Sequence, residues 1–201
     1  MSKFDAVKKN LEGKGYIVKE FATAKEAGAY LDTQIDGATV GFGGSSTVLE
    51  SGAYDLLSKH NSVYWHWKDQ DENAARKAAM TTDYYLTSVN ALTEAGEMVN
   101  LDGTGNRVAA MMYGHKKVFY LIGENKLVKG GLEDAITRVR QYCGPVRAAQ
   151  LNANTPCVKA GDLKCRDCRS PQRICNGMNI LFTPMKGMAA EVLLIDEELG
   201  I

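Results

Sequence analysis

Apolar positions in this chain form short alternating runs and helical stripes that take turns along the sequence. Phe4, Val7 and Leu11 share one helical face. Gly13 and Gly15 close that helix, and Tyr16 to Phe21 predicts a strand. Thr23 with Glu26 three residues on is a capping pattern, so a second helix is predicted to about Leu31. Ala38–Phe42 predicts a strand, Thr47–Lys59 a helix, Val63–Trp67 a strand and Asp71–Ala79 a helix. Tyr84–Leu92 and Met98–Leu101 predict two strands joined by a turn at Glu94–Ala95–Gly96. A helix over Asn106–Tyr113, a strand over Val118–Gly123 and a helix over Leu132–Tyr142 follow. The last predicted strands are Asn179–Thr183 and Glu191–Asp196. Strands alternating with helices predict an α/β fold, a Rossmann-like and mostly parallel sheet with helices on both faces.

The 201 residues suit one domain, 1–201, with room for a substantial core. Residues 152–178 break the pattern as an irregular insert with Pro156, Pro171 and four cysteines. Lys plus Arg and Asp plus Glu number 24 each, which leaves no basic field for nucleic acid. The charged N-terminal run lacks a signal peptide's apolar core, and no stretch nears the roughly 20 apolar residues of a membrane span. A soluble, cytoplasmic protein is expected. Five cysteines, mostly crowded into the insert, do not resemble a secreted disulfide framework.

Two glycine-containing loops follow predicted strands and open predicted helices. In VGFGGSST, Gly41, Gly43 and Gly44 would let the backbone approach a ligand, while Ser45 and Ser46 add hydroxyl donors. The second loop runs Asp102, Gly103, Thr104, Gly105, Asn106, Arg107, with short polar side chains and a cation able to pair with a carboxylate or phosphate. Each loop alone is equally consistent with a capped turn. Together, at strand carboxyl ends, they predict two walls of one cleft for a small anionic metabolite. The three histidines, His60, His66 and His115, are scattered and read as structural, and Glu94 and Glu97 read as solvated turn charges.

The insert places Cys157, Cys165, Cys168 and Cys175 close in sequence, with a CxxC at its centre. Lys159, Lys164, Arg166, Arg169 and Arg173 lie among them and would lower the thiol pKa values and offset a thiolate centre's charge. Three uses stay open: a zinc or iron–sulfur site, a redox-active CxxC, or ordinary thiols. The spacing is that of neither a bacterial ferredoxin nor a two-CxxC zinc ribbon. Cys143, outside the insert, is expected to be a packed thiol.

GFGGSSTV, YYLTSVNALTEAGEMVNLDGTGNRVAAMMYGHKKVFYLIGENKLV and TPCVKAGDLKCRDCRSPQRICN together resemble the lactate-utilisation (LUD) domain family, in particular its short single-domain members. The resemblance implies the fold of the superfamily of sugar-phosphate isomerases, coenzyme A transferases and formyltetrahydrofolate cyclo-ligase, with ligands at strand carboxyl ends. Some members of the family belong to a system that oxidises lactate to pyruvate, whose partner proteins carry iron–sulfur clusters. Two functions therefore stand side by side. One is binding of a hydroxyacid, sugar phosphate or acyl-coenzyme A-like metabolite in the cleft, as an enzyme or otherwise. The other is an accessory or electron-transfer role, docking to a redox partner through the cysteine insert. The VYWHW segment at residues 63–67 is a candidate edge for a homodimer.

Overall fold

In this computed structural model, residues 2–201 are described. The strands are β1 (Ile17–Phe21), β2 (Thr39–Phe42), β3 (Ser62–Tyr64), β4 (Tyr84–Thr87), β5 (Ala91–Thr93), β6 (Met98–Asp102), β7 (Lys117–Gly123), β8 (Leu127–Val128), β9 (Gly177–Leu181) and β10 (Ala189–Ile195). The helices are α1 (Asp5–Gly13), α2 (Ala24–Gln34), α3 (Ser46–Glu50), α4 (Ala53–Leu57), α5 (Glu72–Ala78), α6 (Asn106–Ala110), α7 (Leu132–Arg138), α8 (Gly144–Gln150) and α9 (Pro156–Lys159), with a π-helical turn over Val139–Cys143 between α7 and α8. None of them is long and apolar enough to cross a membrane.

Six strands form one all-parallel sheet in the order β1-β10-β7-β4-β2-β3. Alternation along β7 explains why both faces are covered. Val118, Tyr120 and Ile122 join a core with Val7 and Leu11 of α1, while Phe119 and Leu121 join a core with Leu31 of α2 and Val48 of α3. Thr23 caps α2 as its spacing predicts, accepting from the Glu26 N–H at 3.2 Å.

A second, four-stranded sheet, β8-β5-β6-β9, was not legible as a separate layer. It is antiparallel except at β5–β8. Leu92, Met98 and Leu181 face the α1 side of the main sheet, and Ala91 and Val99 face Ala135 of α7 and Val139. The predicted continuous strand Tyr84–Leu92 is thus two strands. The chain leaves the parallel sheet after Thr87 and enters the second sheet at Ala91.

Two other expectations are corrected. The helix predicted over Thr47–Lys59 is divided at Gly52, whose φ of +70° is left-handed. The strand predicted through Trp67 stops at Tyr64, because Trp65 turns inward, fully buried and stacked on Phe42 at 5.2 Å and on Trp67 at 5.5 Å. Most of the VYWHW aromatic surface is therefore spent inside the subunit.

Candidate functional site

The order of the main sheet fixes where a cleft forms. From the carboxyl end of β2 the chain goes through α3 and α4 to β3 on one side; from β4 it goes to β7 on the other. The two exits lie on opposite faces, so the strand ends diverge there, as at the ligand-binding switch point of open α/β sheets. A cleft of about 410 Å³ opens at this point, within the size range of small-molecule sites.

Both glycine loops meet in it. Gly44, Ser45, Ser46, Asp102, Gly103, Asn106 and Arg107 all line the cleft. Gly41, Gly43 and Gly105 do not, and the reasons for glycine there are structural. A Cβ on Gly41 would stand 2.6 Å from the Ala79 carbonyl oxygen, and one on Gly43 would stand 2.9 Å from Thr87 Oγ1. Gly105 caps α6 at φ +93°. Gly103 lines the cleft, but its missing side chain admits the insert, since a Cβ would meet the Ile174 carbonyl at 2.8 Å. Ser45 spends its hydroxyl as the α3 cap, accepting from the Val48 N–H at 3.2 Å.

Arg107 departs from its expected role. Its Nη1 donates to the Ser88 carbonyl and to Asn100 Oδ1, both at 3.1 Å. Its Nη2 donates to Asn90 Oδ1 at 2.8 Å and to the Leu101 carbonyl at 2.7 Å. Asp102 lies beside it, 3.7 Å from Nε, and closes its own turn by accepting from the Thr104 and Gly105 N–H groups. This guanidinium is a structural pin and has no terminal nitrogen left for a ligand.

The pin belongs to a larger arrangement at the crossing between the sheets. Leaving a ladder strands backbone carbonyls. Three successive ones, Ser88, Val89 and Asn90, each accept from a different cation: half-buried Arg107, buried Lys126 at 3.3 Å and half-buried Arg138 at 2.6 Å. Arg138 also donates to the Asn125 carbonyl and to Cys143 Sγ. Cys143 is buried as expected, yet it lies on the cleft floor, and burial pushes its thiol pKa up.

Lys126 is the residue that sequence reading missed. It ends the turn Glu124–Lys126 that follows β7, so β2, β4 and β7, three neighbouring strands, all feed the cleft from their carboxyl ends. It is 3% exposed, and burial pulls its pKa down to about 7, with Arg138 and Arg107 pushing the same way. The available signal was its position, a lysine three residues past the end of a strongly apolar strand. Arg147 of α8 also lines the cleft, stacked 5.5 Å from the Trp67 ring. Among the described residues, neither Lys126 nor Arg147 meets a carboxylate, whereas Arg76, also on the wall, is paired with Glu72 at 2.7 Å, and Arg107 lies beside Asp102. His66 and Trp67 close the side next to Gly44, and burial lowers the His66 pKa. His60 instead bridges Asp32 and Asp36 at the surface, and His115 is buried on the Thr82 carbonyl.

The insert folds against the second glycine loop. Asn176 donates its N–H to the Asp102 carbonyl and its side chain to the Gly103 carbonyl, both at 2.9 Å. Of its residues only Ile174 reaches the cleft, so its lysines and arginines do not line it. Cys157, Cys165, Cys168 and Cys175 surround a separate hollow of about 210 Å³ on the far side. Among the described residues, no three His, Cys, Asp or Glu side chains are grouped to hold a metal ion.

Residues 4–194 match the family model described as the LUD domain. The chain belongs to the LUD domain family. Among solved structures, it resembles a DUF162 family protein from Deinococcus radiodurans, at a TM-score of 0.52 and 12% identity over 94% of each chain. That likeness agrees with the observed α/β architecture. Ribose 5-phosphate isomerase from Plasmodium falciparum matches at a TM-score of 0.37 and 18% identity over 54% of each chain. No curated protein matches. Within this LUD domain, the cleft at the switch point collects most of the polar residues of both glycine loops.

Proposed function

We propose that this LUD-domain protein binds a small anionic metabolite, a hydroxyacid or sugar phosphate, in the switch-point cleft. The observation that carries the reading is Lys126. It is a buried amine on the cleft floor with one hydrogen bond, to the Val89 carbonyl, and no carboxylate partner among the described residues. A buried cation left without an anion is costly, and an anionic ligand supplies the missing charge. Arg147, also on the cleft wall, gives the ligand's anionic group a second cation. Asn106 and the Ser46 hydroxyl offer neutral donors nearby. At about 410 Å³ the cleft encloses a metabolite of a few carbons, and of an acyl-coenzyme A it would enclose only the acyl end.

Thermal-shift and calorimetric titration against lactate, other 2-hydroxyacids and sugar phosphates tests this. A true ligand at a hundredfold excess over Kd stabilises by about 2.7 kcal/mol. Lys126→Met is expected to abolish that shift while remaining folded. Equal binding by wild type and Lys126→Met would refute the reading.

A further inference from the structure

We infer that Cys157, Cys165, Cys168 and Cys175 hold an iron–sulfur cluster in the hollow between the insert and α8. This site is separate from the metabolite cleft and does not depend on what binds there.

The insert's own composition creates the need for one. From Pro156 to Met178 no residue is buried, and between α9 and β9 the chain has neither helix nor strand. A segment of that length cannot be fixed by apolar burial, and a cross-linking centre would fix it. All four cysteines nevertheless line one hollow, together with Leu101, Pro145 and Ala148 of the body.

Groups that would tune thiolate sulfurs are in place. The Asp167 N–H points at Cys165 Sγ at 3.5 Å, and Thr155 Oγ1 lies 3.2 Å from Cys157 Sγ. The Arg173 guanidinium donates to the carbonyls of Cys175 and Cys168, bringing positive charge between two of the ligands. Arg140 and Arg166 line the same hollow. Donors to sulfur and nearby cations match a net-negative centre held by four thiolates.

Geometry separates a cluster from a single ion. Zinc requires all its sulfurs at about 2.3 Å from one point, and among the described residues no three His, Cys, Asp or Glu side chains are grouped to hold a single ion, although the four cysteines line one hollow of about 210 Å³. A cluster fills such a space, because its irons carry the ligands outward. Leu101, Gly144 and Ile174 line both the hollow and the cleft, so only a thin wall would separate cluster from metabolite.

The test is iron, acid-labile sulfide and zinc analysis of the full chain, expressed with iron and purified without oxygen. Visible absorption is recorded before and after dithionite. The expected result is iron and sulfide in equal amounts, about two or four of each per chain, with absorption that bleaches on reduction. Cys165→Ser and Cys168→Ser should each lose at least nine-tenths of the iron, while Cys143→Ser, outside the hollow, should keep it. Far-UV circular dichroism confirms that the variants fold. If a serine variant unfolds, the wild-type analysis alone still decides. Stoichiometric zinc without sulfide, thiols paired as disulfides in the anaerobic protein, or four free thiols without metal would each overturn the assignment.

Discussion

The Arg107 guanidinium donates to Asn90 Oδ1 at 2.8 Å, and that same oxygen accepts from the Leu101 N–H at 3.0 Å. One amide thus ties α6 to the crossing between the two sheets and to β6. The finding reassigns Arg107 from ligand binding to architecture and makes a quantitative expectation. Arg107→Ala removes four donated hydrogen bonds from a largely buried setting: Asn90 Oδ1 keeps the Leu101 N–H and the Ser88 carbonyl keeps the Thr87 hydroxyl, but the Leu101 carbonyl and Asn100 Oδ1 lose their side-chain donor. It should destabilise by about 3–5 kcal/mol, lowering Tm by roughly 6–20 °C for a chain this long. Arg107→Lys should recover little, since an ammonium cannot reproduce the fork. Urea and thermal unfolding measure both. Wild-type stability in Arg107→Ala, with only ligand affinity lost, would return the residue to the binding site.

The glycines of VGFGGSST should separate by substitution. Gly41→Ala drives a Cβ to 2.6 Å from a backbone carbonyl and 2.9 Å from the buried Tyr85 ring, neither free to move. A loss of about 1–3 kcal/mol or more follows. A Cβ on Gly44 meets only side chains of the cleft wall, His66 Nε2 at 3.2 Å and Trp67 at 3.3 Å. Gly44→Ala should change stability by less than about 1 kcal/mol and weaken ligand binding by narrowing the wall. Denaturation midpoints alongside titration distinguish the two effects.

Glu191 supplies a third test. It lies 1% exposed in the middle of β10, accepting from Tyr30 Oη at 2.6 Å and paired with Lys117 Nζ at 2.5 Å. Glu191→Ala leaves a half-buried phenol and a partly buried ammonium without partners, at a cost of about 2–4 kcal/mol. Lys117 retains some exposure and can turn to water, so Glu191→Ala with Lys117→Met should recover part of the loss. A double-mutant cycle by urea unfolding reads the coupling. Additive losses would mean that the pair contributes no coupling of its own.

How far the sequence carries follows from which forces are local. The parallel layers were legible because continuous apolar strands such as β7 and stripes such as Phe4–Val7–Leu11 report burial directly. Both glycine loops could be seen as strand-to-helix loops, but the second leaves β6 of the other sheet, so their meeting in one cleft depends on how the two sheets pack and not on a shared sheet edge. The break at Ser88–Asn90 was not legible. Its polar residues could be seen, but the cations that satisfy its carbonyls come from 19 to 48 residues further on. Lys126 was hidden for the same reason: a lysine after a strand is usually a solvated charge, and only the second sheet, closing over it, makes it a buried one. Gly41 and Gly103 were misread because close packing and close ligand approach demand the same residue.

Lys126 gives the pH dependence by which the cleft can be judged. Its folded pKa is near 7, below the usual lysine value near 10.5. Between those two values the unfolded chain holds a proton that the folded chain lacks. Stability from this group therefore rises with pH from about 7 to about 10.5, and below 7 its full cost is present. Lys126→Met removes the titration. It should be more stable than wild type at pH 7, by up to about 4 kcal/mol, and that advantage should fade toward pH 10. Anion binding has the opposite slope, because the ligand needs the ammonium. Affinity should fall by up to tenfold per unit as pH rises above about 7, and binding near neutrality should take up a proton. Calorimetry in buffers of different ionisation enthalpy counts that proton. Affinity that stays flat from pH 6 to 9 would show that the amine serves only the Val89 carbonyl and the architecture of the crossing.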